Sequence, residues 1–421
     1  MATQQRRANE YLDRLLQKYS LEQLKDRLGP NMDRPVSSVP RDPRISEKAV
    51  ARRWKVLGCD DSVKNELLDD LTKGQQDVYQ RNIENFIGTV KLPVGIAGPL
   101  RVNGLFAQGD YYVPLATSEA ALVASYSRGA SLITKAGGCT ALLLNEGVSR
   151  APGFAFKSLV EAGTFVAWAL SQIDEFKRLA EATTRFGKLQ DMRITVEGNH
   201  VYLNFEYTTG DASGQNMVTI ATHAIFEYIK QTSPIDIDYA FIEANLSGDK
   251  KASAQSFQSV RGKKVTAEVV LPADLVQKTL HTSVARMVDY WRMSALGGVL
   301  SGTIGVQGHY ANGLAAFYIA CGQDAACVSE SSVGVTRFEV TDDGDLYASV
   351  TLPNLIVGSV GGGTGLPSQR ACLDIMGLAG QGKAQALAEV CASLALAGEL
   401  SIIGALCADH FARAHQSLAR G

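Results

Sequence analysis

Residues 192–205, with the sequence MRITVEGNHVYLNF, contain two runs in which apolar and polar side chains alternate. Alternation with a period of two predicts β-strands, and the short turn around Asn199 between the runs predicts a hairpin. A helix-like segment, 154–182, precedes the hairpin, and another, 217–232, follows it. We therefore predict that residues 152–240 form a small α+β unit.

The chain on both sides of this unit is rich in glycine and alanine, with apolar residues at helical spacing. This pattern predicts an alanine-rich helix at 120–132 and a long buried helix at 383–417. We expect one large, mainly helical domain, formed by residues 84–151 and 241–421, into which the 152–240 unit is inserted. The predicted fold class is α+β.

The N-terminal residues 1–83 carry many charges and predict a separate helical segment. Its first helix is expected at 9–28, because a Gly-Pro pair follows it. Residues 92–100 contain two prolines and two glycines, which predict a rigid turn. Beyond Lys264 we predict that the chain returns to helices.

The composition is that of a globular protein, with 46% hydrophobic and 20% charged residues. The 421 residues include 41 basic and 43 acidic side chains, and this near-neutral charge argues against a nucleic-acid partner. The seven cysteines are widely spaced without a CxxC pair, which is typical of free thiols in a reducing compartment.

No apolar stretch typical of a secretory signal follows the first residues. The most apolar window, 390–406, carries Glu399 near its middle, which favours a buried core helix over a membrane span. We predict a cytoplasmic protein that does not enter the membrane.

Two glycine-rich segments are candidates for binding an anionic cofactor: GDASGQN at 210–216 and GSVGGGTG at 358–365. Small residues let the backbone approach a ligand, and the N-terminus of a following helix attracts anions. The first segment is equally explained as an Asp-capped helix start, and the second as a tight packing contact. No GxGxxG pattern follows a predicted strand, so a Rossmann site is disfavoured.

Two acidic residues and a lysine pair indicate possible acid–base chemistry. Asp249, Lys250 and Lys251 follow a turn of small residues. Adjacent lysines are usually solvated, but one ammonium could stabilise an oxyanion. Glu119 and Asp324 lie in apolar surroundings, where they are either satisfied structural acids or coupled carboxylates that act as general acids.

His410 and His415 lie on the predicted C-terminal helix, five residues apart. Steps of about 100° per residue separate them around the helix, so they do not form the i,i+4 pair of a metal site. The sequence contains no other histidine cluster, and we predict no metal.

Together these segments resemble the 3-hydroxy-3-methylglutaryl-coenzyme A (HMG-CoA) reductase family, over about residues 80–421 and closer to its class I branch. The resemblance is to the catalytic portion, without a membrane anchor. The matching segments follow the family's order: ENFIG at 84–88, PVGIAGPL at 93–100, LATSE at 115–119, GDASGQN at 210–216, DKK at 249–251, GQD at 322–324, GSVGGGT at 358–364 and AGELS at 397–401.

The resemblance implies a four-electron reduction of HMG-CoA to mevalonate and CoA with two NADPH, in the mevalonate pathway of isoprenoid biosynthesis. It implies a large substrate-binding domain and a small NAD(P)-binding domain. It also implies a homodimer, or a higher even oligomer, with the active site at the subunit interface. An NADH-preferring reductase that acts in mevalonate breakdown and a non-catalytic acyl-CoA-binding relative remain as alternatives.

By this resemblance, four residues carry the chemistry. Lys250 would stabilise the oxyanion formed by the first hydride transfer, and His415 would protonate the departing CoA thiolate. Glu119 would protonate the alkoxide formed from mevaldehyde. Asp324 would keep Lys250 charged and raise the pKa of Glu119.

The resemblance also implies two sets of binding residues. Those expected to contact the substrate are Ser125, Arg128, Arg150, Asp249, Lys251, Arg292 and Asn312. Those expected to contact the cofactor are Thr184, Arg185, Phe186, Asp211, Ser213, Gly214, Gln215, Asn216, Gly361, Gly362, Gly363 and Thr364. An Arg185 guanidinium near the ribose would pair with a 2′-phosphate and favour NADPH over NADH.

Two positions depart from the family pattern in the substrate pocket. Glu243 replaces a usual serine and Val328 a usual asparagine. The carboxylate of Glu243 would repel the substrate carboxylate, unless it turns to pair with Arg150 or Lys251. We expect weaker binding of HMG-CoA in either case.

Overall fold

The structure, a computed structural model, describes residues 4–30 and 37–408. The chain divides into two compact units, one ending at Val90 and the other beginning at Lys91. Each unit has its own hydrophobic core.

The first unit is helical in its described part. Its helices are α1 Gln5–Lys18, α2 Leu21–Leu28, α3 Glu47–Leu57, α4 Asp61–Leu67 and α5 Asp70–Gly74. The single helix expected at 9–28 is divided in two because Ser20 starts a new helix: its hydroxyl accepts from the Gln23 amide, and the Gln23 side chain accepts from the Ser20 amide. A small core around Val50, Trp54 and Phe86 packs inside this unit.

The second unit combines helices with one mostly antiparallel sheet. The helices are α6 Leu122–Lys135, α7 Leu159–Ser171, α8 Ile173–Ala182, α9 Gln215–Thr232, α10 Ala273–Leu280, α11 Val284–Ser301, α12 Tyr310–Ala320, α13 Val328–Ser331, α14 Pro367–Ile375 and α15 Ala384–Cys407. The strands are β1 Val94–Gly104, β2 Gln108–Ala116, β3 Cys139–Arg150, β4 Gly153–Ala155, β5 Lys188–Glu197, β6 His200–Thr208, β7 Tyr239–Phe241, β8 Gly262–Leu271, β9 Val335–Val340 and β10 Leu346–Leu355.

The strand order is β7-β4-β6-β3-β8-β10-β9, with β5 paired to β6 and β1 paired to both β2 and β3. The predicted hairpin is confirmed as β5 and β6, in which Met192 pairs with Phe205 and Val196 with Val201. The mixed helix and strand architecture confirms the α+β class. Helices α10 to α15 follow Lys264 as predicted, but the strands β8, β9 and β10 of the same region were not predicted. Strand β1 replaces the rigid turn expected at 92–100.

Two hydrophobic cores lie on this sheet. The smaller one includes six phenylalanines among its buried residues, and Phe154 is in ring contact with Phe165 and Phe226. The larger one surrounds α15, whose residues are almost all buried. The close approach of α6 to α15 requires Gly129, because a Cβ there would lie 1.9 Å from the Ala397 carbonyl oxygen.

The buried helix predicted at 383–417 is present as α15 as far as Cys407, and its remainder lies outside the described residues. By length and apolar composition alone, α15 is the one helix of the described ranges that could span a membrane. Its burial inside the fold is that of a core helix.

Glu389 is a fully buried acid on α15 whose charge is satisfied by the backbone. Its carboxylate accepts hydrogen bonds from the amides of Phe106 and Ala107, each at 2.8 Å, and from the amide of Leu143 at 3.2 Å. Because backbone donors can satisfy a buried carboxylate, Glu389 fastens α15 to the β1–β2 turn and to β3.

Candidate active site

The two glycine-rich segments lie side by side. The 210–216 loop connects β6 to α9, and Ala212 pairs with Val360 of the 358–365 loop in a parallel bridge. A Cβ at Gly358 would lie 2.4 Å from the Ser213 nitrogen, so this glycine is required for the contact. The structure thus shows the tight packing that the sequence left as one alternative.

The Gly322–Asp324 segment packs on the same loop. The side-chain amide of Gln323 accepts from the Gly358 N–H at 2.8 Å and donates to the Gly358 carbonyl at 3.0 Å. Gly322 has a φ of +68°, and a Cβ there would lie 2.3 Å from the Gly363 carbonyl oxygen. Three segments that are distant in sequence are therefore held together by close backbone contacts.

Asp324 is not inside an apolar helix, as the sequence suggested, but follows the end of α12. One carboxylate oxygen accepts from the Ala326 amide at 3.0 Å, and the other accepts from the Lys250 ammonium at 2.9 Å. The hydrogen bond with Asp324 raises the pKa of Lys250 above its ordinary value. Lys250 is therefore a stable cation, and both side chains remain partly exposed and accessible to a ligand.

Asp249 lies between two buried arginines. It pairs with Arg150 Nη1 at 3.0 Å and also with Arg261 Nη2. Burial acts to raise the pKa of Asp249, but the Arg261 and Arg150 guanidiniums outweigh it, and the pKa lies below its ordinary value. Lys251, by contrast, is exposed and donates to the Asp249 carbonyl at 2.8 Å.

Glu243 joins the ionic group formed by Asp249, Arg150 and Arg261. Its Oε2 accepts from Arg150 Nη1 at 3.2 Å and from the Ser247 hydroxyl at 3.0 Å, while its Oε1 accepts from the Asn245 amide at 2.8 Å. Of the two alternatives considered for Glu243, the structure has the one in which it pairs with Arg150. Arg150 is thus already engaged by two carboxylates.

Glu119 and Asn312 lie beside a cavity. Asn312 Nδ2 lies 3.5 Å from Glu119 Oε1. Both line a cavity of about 390 Å³ whose other wall is mainly apolar, with Leu92, Ile319 and Val328 among its residues. Val328 follows Asp324 by four residues, so this cavity adjoins the segment that carries the acid paired with Lys250.

Ser125 and Arg128 lie on α6 and contact α15. The Ser125 hydroxyl is 2.9 Å from the Ser401 hydroxyl, and Arg128 donates to the Ser401 hydroxyl and carbonyl at 3.0 and 2.8 Å. Arg292 lies on α11, exposed, where it pairs with Asp289 at 3.1 Å. Within the part of the chain that the structure describes, these three residues make no polar contact with Lys250, Asp324 or Asp249.

The residues expected at the cofactor form two groups. Thr184 follows α8, and its hydroxyl accepts from the Phe186 and Gly187 amides, which leaves Arg185 and Phe186 exposed. Asp211 accepts from the amides of Gly382 and Ala384 at 2.7 and 3.2 Å, so its carboxylate caps the start of α15.

The remaining members of the second group lie around the paired loops. Gln215 donates to the Cys327 sulfur at 2.6 Å, and the Thr364 hydroxyl donates to the Gly361 carbonyl at 2.7 Å. Gly361 and Gly362 have φ values of +75° and +54°, and a Cβ at either would meet nothing within 4 Å. This edge of the loop is therefore open to a ligand.

His415, the fourth expected catalytic residue, lies outside the described residues, as does His410. Two members of the ionic group, Arg261 and Glu330, were missed by sequence reasoning. Arg261 donates to the Ser149 carbonyl at 3.0 Å and lies 3.5 Å from Glu330, which is fully buried. No local pattern marks either residue, because each acquires its role through contacts with distant parts of the chain.

The described residues thus place an accessible cation, Lys250, beside an acid, Asp324, next to the open edge of the glycine loops. The sequence model of the family described as Hydroxymethylglutaryl-coenzyme A reductase matches residues 49–420. The chain belongs to the HMG-CoA reductase family, whose general activity is the reduction of HMG-CoA to mevalonate.

Curated relatives agree with this assignment. The 3-hydroxy-3-methylglutaryl-coenzyme A reductases of Pyrococcus horikoshii and Methanothermobacter thermautotrophicus are each 44% identical to this chain. The first alignment covers 82% of this chain and 85% of the relative, and the second covers 89% and 94%. Reductase 1 of Dictyostelium discoideum is 39% identical, with 79% of this chain and 61% of the relative covered.

Solved structures show the same fold. The class II reductase from Streptococcus pneumoniae, bound to NADPH, superposes with a TM-score of 0.64 at 20% identity. The match covers 86% of this chain and all of that one.

Proposed function

We propose that this chain is a class I-like HMG-CoA reductase that makes mevalonate and CoA from HMG-CoA with two NADPH. The observation that carries the proposal is the Lys250–Asp324 pair, an accessible ammonium held cationic at 2.9 Å from a carboxylate. A fixed cation is what the reduction of a thioester carbonyl requires, because negative charge develops on the oxygen.

The cofactor site we propose is the open edge of the paired glycine loops. Positive φ angles at Gly361 and Gly362, with free space where a Cβ would stand, fit a backbone surface that a nucleotide can approach closely. NADPH, when bound, supplies hydride to the carbonyl carbon. Among this chain's residues, Arg185 and Phe186 would contact the ribose end, and the 210–216 and 361–364 residues would contact the rest.

Residues of the protein would stabilise the negative charge that develops in the reaction and donate the protons that it needs. Lys250 would stabilise the oxyanion at both carbonyl stages, and Asp324 would keep it charged. His415 would protonate the CoA thiolate when the hemithioacetal collapses, because a thiol leaves more easily than a thiolate. Glu119, oriented by Asn312, would give a proton to the alkoxide of mevalonate.

The substrate carboxylate would bind near Lys251 and Arg150. Since Arg150 is already paired with Glu243 and Asp249, we propose that HMG-CoA must share this guanidinium and binds more weakly than the family pattern suggests.

We also propose a homodimer in the cytoplasm, with the site completed at the subunit interface. Exposed apolar side chains of α11, which also carries Arg292, support an interface there; they are Met293, Leu296, Val299 and Leu300. All seven cysteines are free, which supports a reducing compartment.

The activity assay that tests this function is stoichiometric. Purified protein given HMG-CoA should consume two reduced nicotinamides and release one CoA thiol for each mevalonate formed. Binding of acyl-CoA without thiol release would instead identify a non-catalytic relative. Running the assay with NADPH and NADH in parallel separates the biosynthetic from the NADH-preferring alternative.

Arg185→Ala should remove the preference for NADPH. A charge-assisted pair with the 2′-phosphate contributes about 1.5–3 kcal/mol, or about 10–150-fold in affinity, and Arg185 is exposed. The KM for NADPH should therefore rise by about this factor while the KM for NADH stays constant. Wild-type enzyme that prefers NADH would contradict this assignment, and Lys188→Ala serves as a nearby control for loss of a surface cation.

A further inference from the structure

Glu330 is a buried acid to which the proposed mechanism gives no role. It lies in α13, and its side chain has no exposed surface. Burial raises its pKa, and the Arg261 guanidinium acts in the opposite direction. A carboxylate buried this deeply needs a cation beside it, because an isolated buried ion is very unfavourable.

Arg261 connects Glu330 to the loop that carries Lys250. Its Oε1 lies 3.5 Å from Arg261 Nε, and Arg261 also pairs with Asp249, the residue before Lys250. Neither carboxylate oxygen of Glu330 has a hydrogen-bond partner among the described residues, so the Arg261 guanidinium is the contact that balances its charge. Arg261 is fixed in turn by its bond to the Ser149 carbonyl on β3. The loop that carries Lys250 is therefore held in place by the buried ion pair of Arg261 and Glu330.

Lys250 has a backbone conformation that needs such support. Its φ of +57° lies in the left-handed region, which residues with a Cβ rarely adopt. A conformation of this kind persists at functional sites only where the surroundings enforce it. The direction in which the side chain leaves the loop, and thus the contact of Nζ with Asp324, depends on this backbone conformation.

We propose that Glu330 is a positioning residue that, through Arg261 and its pairing with Asp249, holds Lys250 in its left-handed conformation with the ammonium against Asp324. The inference rests on the proposed function. Two acids thus act on one lysine in different ways: Asp324 contacts its ammonium, and Glu330 fixes its backbone.

The charged groups around the two residues allow these effects to be separated. Asp324, Cys327 and Asp249 face the Lys250 ammonium, and the hydrogen bond from Asp324 dominates. Arg261, Asp249, Tyr318 and Cys327 face Glu330. Removing the charge of Glu330 should therefore affect the ammonium by moving it away from Asp324.

The test uses Glu330→Gln, which keeps the size of the side chain and removes its charge. We expect kcat for HMG-CoA to fall about 10–100-fold with little change in KM, since a misplaced catalytic group costs rate. The alkaline limb of the pH–rate profile, set by loss of the Lys250 proton, should move to lower pH. In Asp324→Asn the alkaline limb should move to still lower pH. The double variant Asp324→Asn, Glu330→Gln should have its limb at the same pH as Asp324→Asn alone, because both changes act on the contact between Lys250 and Asp324.

Glu389→Gln is the matched control. Glu389 is as deeply buried, but its partners are the amides of the β1–β2 turn and of β3. This variant should lower the melting temperature without moving the alkaline limb. If Glu330→Gln behaves in the same way, with kcat per folded enzyme and the limb unchanged, the proposal is overturned.

Two further measurements keep the proposal open to refutation. If Glu330→Gln does not fold, Glu330→Asp takes its place, because aspartate keeps the carboxylate but is one methylene group shorter and so moves it away from Arg261. An alkaline limb of the pH–rate profile at the wild-type position would then refute the proposal. Acetic anhydride reacts with the neutral amine of lysine. The rate at which it labels Lys250, followed by mass spectrometry as a function of pH, therefore measures the protonation of Lys250 without requiring catalysis. A wild-type protein that does not reduce HMG-CoA would overturn the proposed function, while this labelling would still decide the role of Glu330.

Discussion

Lys250→Met should lower kcat for HMG-CoA reduction by about 10²–10³-fold, the usual effect of removing one donor from an oxyanion site. Methionine has a similar length but cannot donate or carry charge. Lys250 is held at 2.9 Å from Asp324, and among the described residues no other cation pairs with this carboxylate. Reduction of added mevaldehyde should fall similarly, because both carbonyl groups develop an oxyanion. Steady-state rates with the two substrates, alongside thermal melts, provide the measurement.

Lys251→Met is the matched control for this prediction. It changes the next residue, also an exposed lysine, whose Nζ donates to the Asp249 carbonyl. Since Lys251 is proposed to meet the substrate carboxylate, its loss should raise KM about 10–150-fold and leave kcat within a few-fold. Equal losses of kcat in both variants would argue that the loop has been distorted and that Lys250 has no special role.

Asp249→Ala should lower the free energy of unfolding by about 3–5 kcal/mol, because it leaves the buried Arg150 and Arg261 without their shared carboxylate. The difference should depend on pH. The pKa of Asp249 is depressed in the folded protein, so its contribution is complete above its unfolded pKa of about 3.9 and is lost as pH falls through the lower folded value. Urea unfolding of wild type and variant between neutral and acidic pH provides the measurement.

Asp374→Ala is the control for Asp249→Ala. Asp374 pairs with Arg370 at 3.0 Å one helical turn away, but both side chains are more than half exposed. An exposed pair of this kind contributes about 0–1 kcal/mol. A loss in Asp249→Ala no larger than in Asp374→Ala would show that the two arginines find other partners or water when Asp249 is absent.

Local patterns predicted the parts of the fold that depend on near neighbours. The alternation in 192–205 gave a hairpin with the expected turn, and the helical spacing of 217–232 gave α9. Burial of the apolar window 390–406 inside α15 also follows from its composition. The two glycine segments were recognised, but that Gly358 must pack against Ser213 could only be seen once the two loops were side by side.

Other parts of the fold depend on partners far along the chain. The strands β8 and β10 pair with each other, and β8 also pairs with β3, which is more than a hundred residues earlier. Glu330 and Arg261 resemble ordinary surface residues in the sequence, and only the tertiary fold buries them. The catalytic roles of Lys250, Asp324, Glu119 and His415, and that of Asn312 beside them, stay predictions.

The capping of α15 by Asp211 links the 210–216 loop mechanically to this helix. The cap joins the start of a 24-residue helix to the 210–216 loop, and at 1.5 Å per residue this helix is about 36 Å long. A helix buried along its whole length moves as a rigid rod, since bending would open voids in a close-packed core. A displacement of the loop at one end of α15 must therefore be absorbed at the cap itself or appear as a movement at Cys407, beyond which the chain continues towards His415.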